Sequence, residues 1–380
     1  MEKPETLARL HRWFVQRRAS SWPSLVGMIL IFALLSISAS TPNSAVTQYD
    51  RRTTSELVDA VSGERIMRTI QDLQNFDSRA FYLSSSEEAA SYIFEHFQAM
   101  SIAVEYQEFM AGVHSVKNVV ATIPGASADA PQFLFGAHYD SENKDVEILY
   151  DGQMLPAPGA DDDASGVACV MELARVLSNL RLDNTVRFVA FAAEENGYDS
   201  SGRMAGSRSY VESEMAKGIS YDACWILDMI GYRGDSENHT VIVVNEDSMR
   251  LGSHMQQTVG DLGIELSIEV ENNSSSLSSD HASFWSAGYP AALLIESDRT
   301  AGGYEFNPYY HSIEDTVDKL SEGQIVAVAQ GLVATLMDMA TPESANEDGG
   351  LVLTSATIAI GSASAAIVCI YYIRRKVKKT

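Results

Sequence analysis

Residues 185–195 read Thr-Val-Arg-Phe-Val-Ala-Phe-Ala-Ala-Glu-Glu. The unbroken apolar stretch Phe188–Ala193 reads as a strand with both faces covered by helices, the setting of a parallel sheet. It stops at two adjacent carboxylates, Glu194 and Glu195. The end of this strand fixes both the fold class and the place to look for chemistry.

Working outward, short strand-like runs alternate with helical patterns over about 53–340. The sequence predicts strands at Val104–Phe109, Asn118–Ile123, Gln132–Ala137, Thr185–Ala193, Ala223–Asp228, Thr240–Val244 and Ala291–Glu296. Helices are predicted at Thr54–Leu73, Glu87–Met100, Ala164–Asn179, Met249–Leu262, His281–Ser286 and Ser321–Met339. This alternation specifies a three-layer α/β/α sandwich around a mixed, mostly parallel sheet. In open α/β sheets ligands bind beyond the carboxyl ends of the strands. His138 directly follows Gln132–Ala137, Glu194 and Glu195 follow Thr185–Ala193, and Asp228 closes Ala223–Asp228. Residues far apart in sequence therefore meet at one sheet edge.

Asp162 and His311 extend the set to five potential metal ligands: His138, Asp162, Glu195, Asp228 and His311. Asp162 lies in Pro158-Gly159-Ala160-Asp161-Asp162-Asp163-Ala164-Ser165-Gly166, three adjacent acids at the mouth of a helix. One acid satisfies a helix N-terminus, so three point to a cation nearby. Three ligand carboxylates contribute −3 and two divalent ions +4, which one hydroxide would balance. Nitrogen and oxygen donors of this kind suit two Zn2+, with Mn2+ or Co2+ as alternatives. A water bound to such an ion ionises near pH ~7. Neighbouring side chains diverge in extended backbone, so one of Glu194 and Glu195 can bind metal while the other takes the proton.

The blocks Gly136-Ala137-His138-Tyr139-Asp140-Ser141, Pro158 to Gly166, Glu194-Glu195, Asp228 and Tyr310-His311-Ser312 occur in that order. Together they resemble the co-catalytic di-zinc exopeptidases, which include the bacterial secreted leucine-type aminopeptidases and, more distantly, glutamate carboxypeptidases and glutaminyl cyclases. The resemblance covers about 53–340. It implies that Asp162 bridges two metals and has a cis peptide to Asp163. It further implies that His138 and Asp228 complete one metal site, and Glu195 and His311 the other. Glu194 would be the general base, Tyr310 would help hold the oxyanion, and Asp140 would orient His138, with Asp163 supporting from behind. The chain departs from its relatives at Asn196–Ala205, a longer link before Gly206-Ser207-Arg208, and Glu271–Ser279 reads as a flexible rim loop.

The bulk numbers restrict partners and location. Residues 1–22 and 374–380 each carry five Lys/Arg. Setting aside those ten of 27 bases, and Glu2 and Glu5 of 51 acids, leaves 17 against 49, a net of −32. Such a surface disfavours nucleic acid and anionic lipid as partners, and no nucleic acid is expected. The apolar run 23–39 follows the basic leader and reads as a signal peptide or signal anchor. Residues 351–373 are 23 uncharged residues before a basic tail, enough to span a hydrocarbon core of ~30 Å. Both basic flanks inside place the domain 53–340 and its stalk, 341–350, on the extracytoplasmic face of the cell membrane.

The expected protein is a membrane-anchored metallo-exopeptidase acting on peptides, an aminopeptidase first. A carboxypeptidase would need a basic clamp, for which Arg203, Arg208, Arg233 and Arg299 are available. Glutaminyl cyclases typically carry Ser where Asp163 stands, and a receptor-like ectodomain would not need all five ligands and Glu194. Ser279-Asp280-His281 reads as a helix cap with a supporting histidine and not as a serine triad, since no G-x-S-x-G elbow occurs.

Overall fold

The computed structural model describes residues 53–127, 130–144, 155–195, 203–297 and 306–340. The leader 1–22, the apolar runs 23–39 and 351–373, the stalk and the basic tail lie outside the described residues, so the membrane expectations are not addressed by the fold. Among the described residues one helix, Glu322–Ala340, is long and apolar enough to cross a bilayer. It is a core helix, with Ile325, Val328, Leu332 and Leu336 fully buried.

Eight strands form one sheet: β1 (Ala103–Ala111), β2 (His114–Ile123), β3 (Gln132–His138), β4 (Val186–Phe191), β5 (Tyr221–Leu227), β6 (His239–Val244), β7 (Ser267–Asn272) and β8 (Ala291–Ile295). Their order is β1-β2-β4-β3-β5-β8-β6-β7. The centre, β4-β3-β5-β8, is parallel, while β1-β2, β2-β4 and β6-β8 pair antiparallel. The helices are α1 (Thr54–Val58), α2 (Gly63–Gln74), α3 (Ser84–Ala99), α4 (Gly166–Leu177), α5 (Ala205–Lys217), α6 (Met249–Leu262), α7 (His281–Ser286) and α8 (Glu322–Ala340). A large apolar cluster joins one sheet face to α2, α3, α4, α6 and α8. A smaller one, built on Phe191, Ile226, Tyr210 and Phe284, joins the other face to α5 and α7. That is the three-layer arrangement the apolar run of β4 requires.

Three expectations need correction. The predicted helix Thr54–Leu73 is two helices, because Ser62 accepts a hydrogen bond from the Arg65 amide and caps a new start at Gly63. Helix α5 escaped the pattern because its sequence, Ala-Gly-Ser-Arg-Ser-Tyr-Val-Glu-Ser-Glu-Met-Ala-Lys, offers few large apolar side chains for burial, chiefly Tyr210 and Val211. Strand β7 is an edge strand of mixed polarity that pairs along β6, so Glu271 and Asn272 belong to the sheet and not to a rim loop.

Candidate metal centre

Strand register assembles the site. His138 is level with Phe191 in the neighbouring β4, which puts Glu194 and Glu195 just beyond its end. On the other side Gly136 pairs with Ile226, and Asp228 follows the last residue of β5. Asp162 comes from the π-type turn Ala160–Ser165 that enters α4, with a cis peptide to Asp163 as the resemblance implies. The backbone is left-handed at Ala193, Met229 and His311, φ 56°, 54° and 56°. Non-glycine residues adopt that conformation at a cost that the surrounding structure must enforce, a pattern common at functional sites.

All five expected ligands converge. His138 Nε2 lies 3.2 Å from Asp162 Oδ1 and 3.8 Å from Asp228 Oδ1. His311 Nε2 lies 2.9 Å from both Asp162 Oδ2 and Glu195 Oε1. Asp162 therefore faces both imidazoles, the position a bridging carboxylate needs. Each ligand is buried, and among the described residues Glu194 Oε1 and Glu195 Oε2 have no hydrogen-bond partner. Buried carboxylate oxygens without donors are costly unless a cation satisfies them. Two imidazole nitrogens with three carboxylates are a donor set that fits divalent cations. Glu142, which the sequence reading did not single out, brings a further carboxylate oxygen within 4.8 Å of ligand atoms on Glu195 and His311.

Crowding of these groups sets their electrostatics. Burial opposes protonation of His311, but Asp162 and Glu195 against it outweigh burial and lift it to about 10. His138 is raised for the same reason by Asp140, Asp162 and Asp228, again against burial. Burial raises Glu195 to about 8, and burial with the Glu195 charge pushes Glu194 well above its usual value. Asp162 resists burial, because His138 and His311 hold it far below the usual carboxylate range. Imidazoles raised by the acids pressed against them, beside acids raised by burial, are the pattern that close crowding of such groups produces.

A ring of satisfied groups holds these ligands. Asp140 accepts from the backbone amides of Glu194 and Glu195, both at 3.1 Å, and its own carbonyl lies 3.2 Å from His138 Nδ1. Asp163 accepts from the amides of His138, Gly166 and Met229 at 3.0–3.2 Å, tying three segments together. Gly166 is required there, since a Cβ would sit 2.5 Å from the Asp163 carboxylate. Two members of the ring were not foreseen. Asp315 accepts from the amides of Asp161 and Asp162, and the fully buried Arg79 donates to the carbonyls of Tyr139, Pro158 and Gly159. Asp315 follows His311 by four residues, a weak signal; Arg79 stands in no motif.

A cavity of about 350 Å³ opens onto the centre. It is lined by His138, Asp162, Glu194, Glu195 and Asp228, and by Tyr310, whose ring stacks on His311 at 3.7 Å between centres. Burial and nearby acids raise the Tyr310 hydroxyl, so it stays a donor at neutral pH. Of the four arginines available for a clamp, Arg203 lines the cavity; Arg208 and Arg233 do not, and Arg299 lies outside the described residues. Asp280 takes the N-cap position of α7 without making a capping bond, contrary to the sequence reading. It is instead buried within electrostatic reach of His138 and Asp228.

The comparisons with known proteins agree with this geometry. The model of peptidase family M28 matches residues 118–336. Leucine aminopeptidase 1 of Fusarium vanettenii is 30% identical over 304 residues, 74% of this chain and 72% of that protein. Leucine aminopeptidase 1 of Coccidioides posadasii is 28% identical over 310 residues, 76% and 74% of the two chains. Among solved structures, the LapA aminopeptidase of Legionella pneumophila has a TM-score of 0.63 at 23% identity, over 77% of this chain and 76% of that one. Porphyromonas gingivalis glutaminyl cyclase has a TM-score of 0.62 at 20% identity, over 74% and 99%. Those two structural likenesses establish the fold. The fold, the acidic strand-end cage and the sequence relatives define an aminopeptidase-like hydrolase that acts on peptides. The chain belongs to peptidase family M28.

Proposed function

We propose that this protein is a membrane-anchored, extracytoplasmic aminopeptidase that uses two divalent cations, zinc in the first instance. The observation that carries the reading is the convergence of His138, Asp162, Glu195, Asp228 and His311 in one buried cluster, with unpartnered carboxylate oxygens on Glu194 and Glu195 beside it. His138 and Asp228 would hold one cation, Glu195 and His311 the other, and Asp162 both. When bound, the cations supply Lewis acidity, which acidifies water and polarises the scissile carbonyl.

The chain's own residues do the rest. Glu194 takes the proton of the attacking water and delivers it to the leaving amine, and burial sets its basicity for that exchange. Asp140 fixes the Glu194 and Glu195 backbone, so base and ligand keep divergent directions. Tyr310 donates a hydrogen bond as the substrate carbonyl oxygen gains charge. The acid-rich cleft suits a free α-ammonium, which favours action at peptide N-termini. Asp163 stands where glutaminyl cyclases typically carry Ser, which argues against cyclisation. The apolar runs 23–39 and 351–373 with their basic flanks support anchoring of the domain outside the membrane.

The test is hydrolysis of aminoacyl, N-blocked and N-terminal glutamine peptides by the purified protein, with and without chelator. Chelator-sensitive cleavage of free-amine peptides alone is the expected result; cyclisation without cleavage would overturn the proposal. Labelling of intact cells with a membrane-impermeant reagent tests the location, and an unlabelled domain would contradict it.

A further inference from the structure

The cavity at the candidate metal centre is lined by two basic side chains in a molecule that is otherwise strongly acidic. Between the basic termini the chain has 17 Lys/Arg against 49 Asp/Glu, so Arg203 and Lys144 lining one cavity stand out from their background. Arg203 Nη2 lies 3.5 Å from Glu194 Oε2 and 4.0 Å from Glu195 Oε2. A guanidinium gripping a carboxylate makes contacts of about 2.7–2.9 Å, often two in parallel. Arg203 makes no contact that short with either glutamate. Among the described residues its Nε is buried without a hydrogen-bond partner, while its side chain keeps 34% of its surface open. The acidic field holds the fork near the site and leaves it donors to spend. Lys144 Nζ rests 3.9 Å from the centre of the Tyr310 ring. Arg203 also acts on Tyr310 electrostatically, so both cations bear on the residue stacked against His311.

We propose that Arg203 and Lys144 read a carboxylate on the substrate beside the scissile bond, which makes peptides presenting one there the preferred class. This deepens the peptidase reading and rests on it. The carboxylate has two sources: the C-terminus of a dipeptide, or an Asp or Glu side chain just after the cleaved bond. A planar guanidinium matches either in bidentate fashion, and an ammonium adds charge without that geometry. Arg203 is therefore the larger contributor.

The test uses the full chain in detergent, loaded with zinc, on two substrate pairs. Leu-Ala against Leu-Ala-amide isolates the C-terminus, and Leu-Glu-amide against Leu-Gln-amide isolates the side chain. The carboxylate-bearing member of at least one pair is expected to have kcat/KM about tenfold higher, mainly through KM. The pair that shows the ratio names the source. Arg203→Gln should bring that ratio to within about twofold, and Lys144→Met should lower it partway. An arginine that only neutralised Glu194 and Glu195 would shift both members of a pair equally. Equal kcat/KM within both wild-type pairs overturns the proposal alone, even where a variant does not fold, as does a ratio that persists in the folded double variant. No turnover of any of the four overturns the peptidase reading and this one with it.

Discussion

Two acidic regions lie within a few ångströms of one another, and they behave in opposite ways. In the inner ring each carboxylate is spent: Asp140, Asp163 and Asp315 all accept backbone amides, most of them from segments distant in sequence. In the outer set, Glu194 and Glu195 keep oxygens with no donor among the described residues, and His138 and His311 lean on carboxylates. The contrast separates scaffold from site. Acids that hold backbone set geometry, whereas acids left wanting a partner mark the place for a cation or a proton.

The imidazoles repeat the lesson. His138 and His311, pressed against acids, are raised, whereas His281, with a backbone carbonyl as its hydrogen-bond partner, is lowered by burial to about 4.

The largest expected effect comes from the outer set. Glu194→Gln should cut kcat by about 10²–10⁴ while bound metal and thermal stability stay near wild type. Loss of metal in that variant would show that Glu194 and Glu195 have exchanged roles. Tyr310→Phe should follow, lowering kcat by roughly 10²-fold with less change in KM, since its hydroxyl is assigned to developing charge. A change confined to KM would instead make Tyr310 a substrate contact.

The inner ring should answer differently. Asp315→Asn disturbs the amides of Asp161 and Asp162, and should weaken metal affinity about 10–100-fold, read by competition with a chelator. Unchanged affinity together with a pure rate defect would erase the distinction between the two regions.

The smallest effect is a pH slope. His281 binds its proton less readily in the folded chain, about 4 against 6.5 for the free side chain. Its stabilising contribution is complete above pH 6.5 and is lost as pH falls toward 4. The slope is at most about 1.4 kcal/mol per pH unit. Buried acids such as Asp161, raised to about 6, work with the opposite sign, so the comparison must be wild type against His281→Gln. The variant should denature at a less steep rate with acidification over that window; identical urea midpoints against pH would exclude a buried neutral His281.

How much of this was legible in the sequence follows from the same division. Outer residues sit at strand ends or in local motifs, so the apolar run into Glu194-Glu195 and the step from β3 to His138 announced them. Register then supplied what pattern could only suggest, the pairing of His138 with Phe191. The inner ring acts through backbone amides brought from elsewhere, and no spacing in the chain announces that Asp315 reaches Asp161 or that Arg79 spans Tyr139 to Gly159. Helix α5 and strand β7 were illegible for a different reason. Neither has an apolar stripe strong enough to stand out, and each is fixed by what it packs or pairs against.

The most direct measurement is the metal content of the purified full chain, stripped with chelator and then reloaded with zinc and freed of excess. About two zinc ions per chain, bound with release of protons from the buried cluster, is the expected result. A correctly folded protein that takes up no zinc would mean that the cage at the sheet edge is held together by its own protons, and would contradict the reading of it as a metal centre.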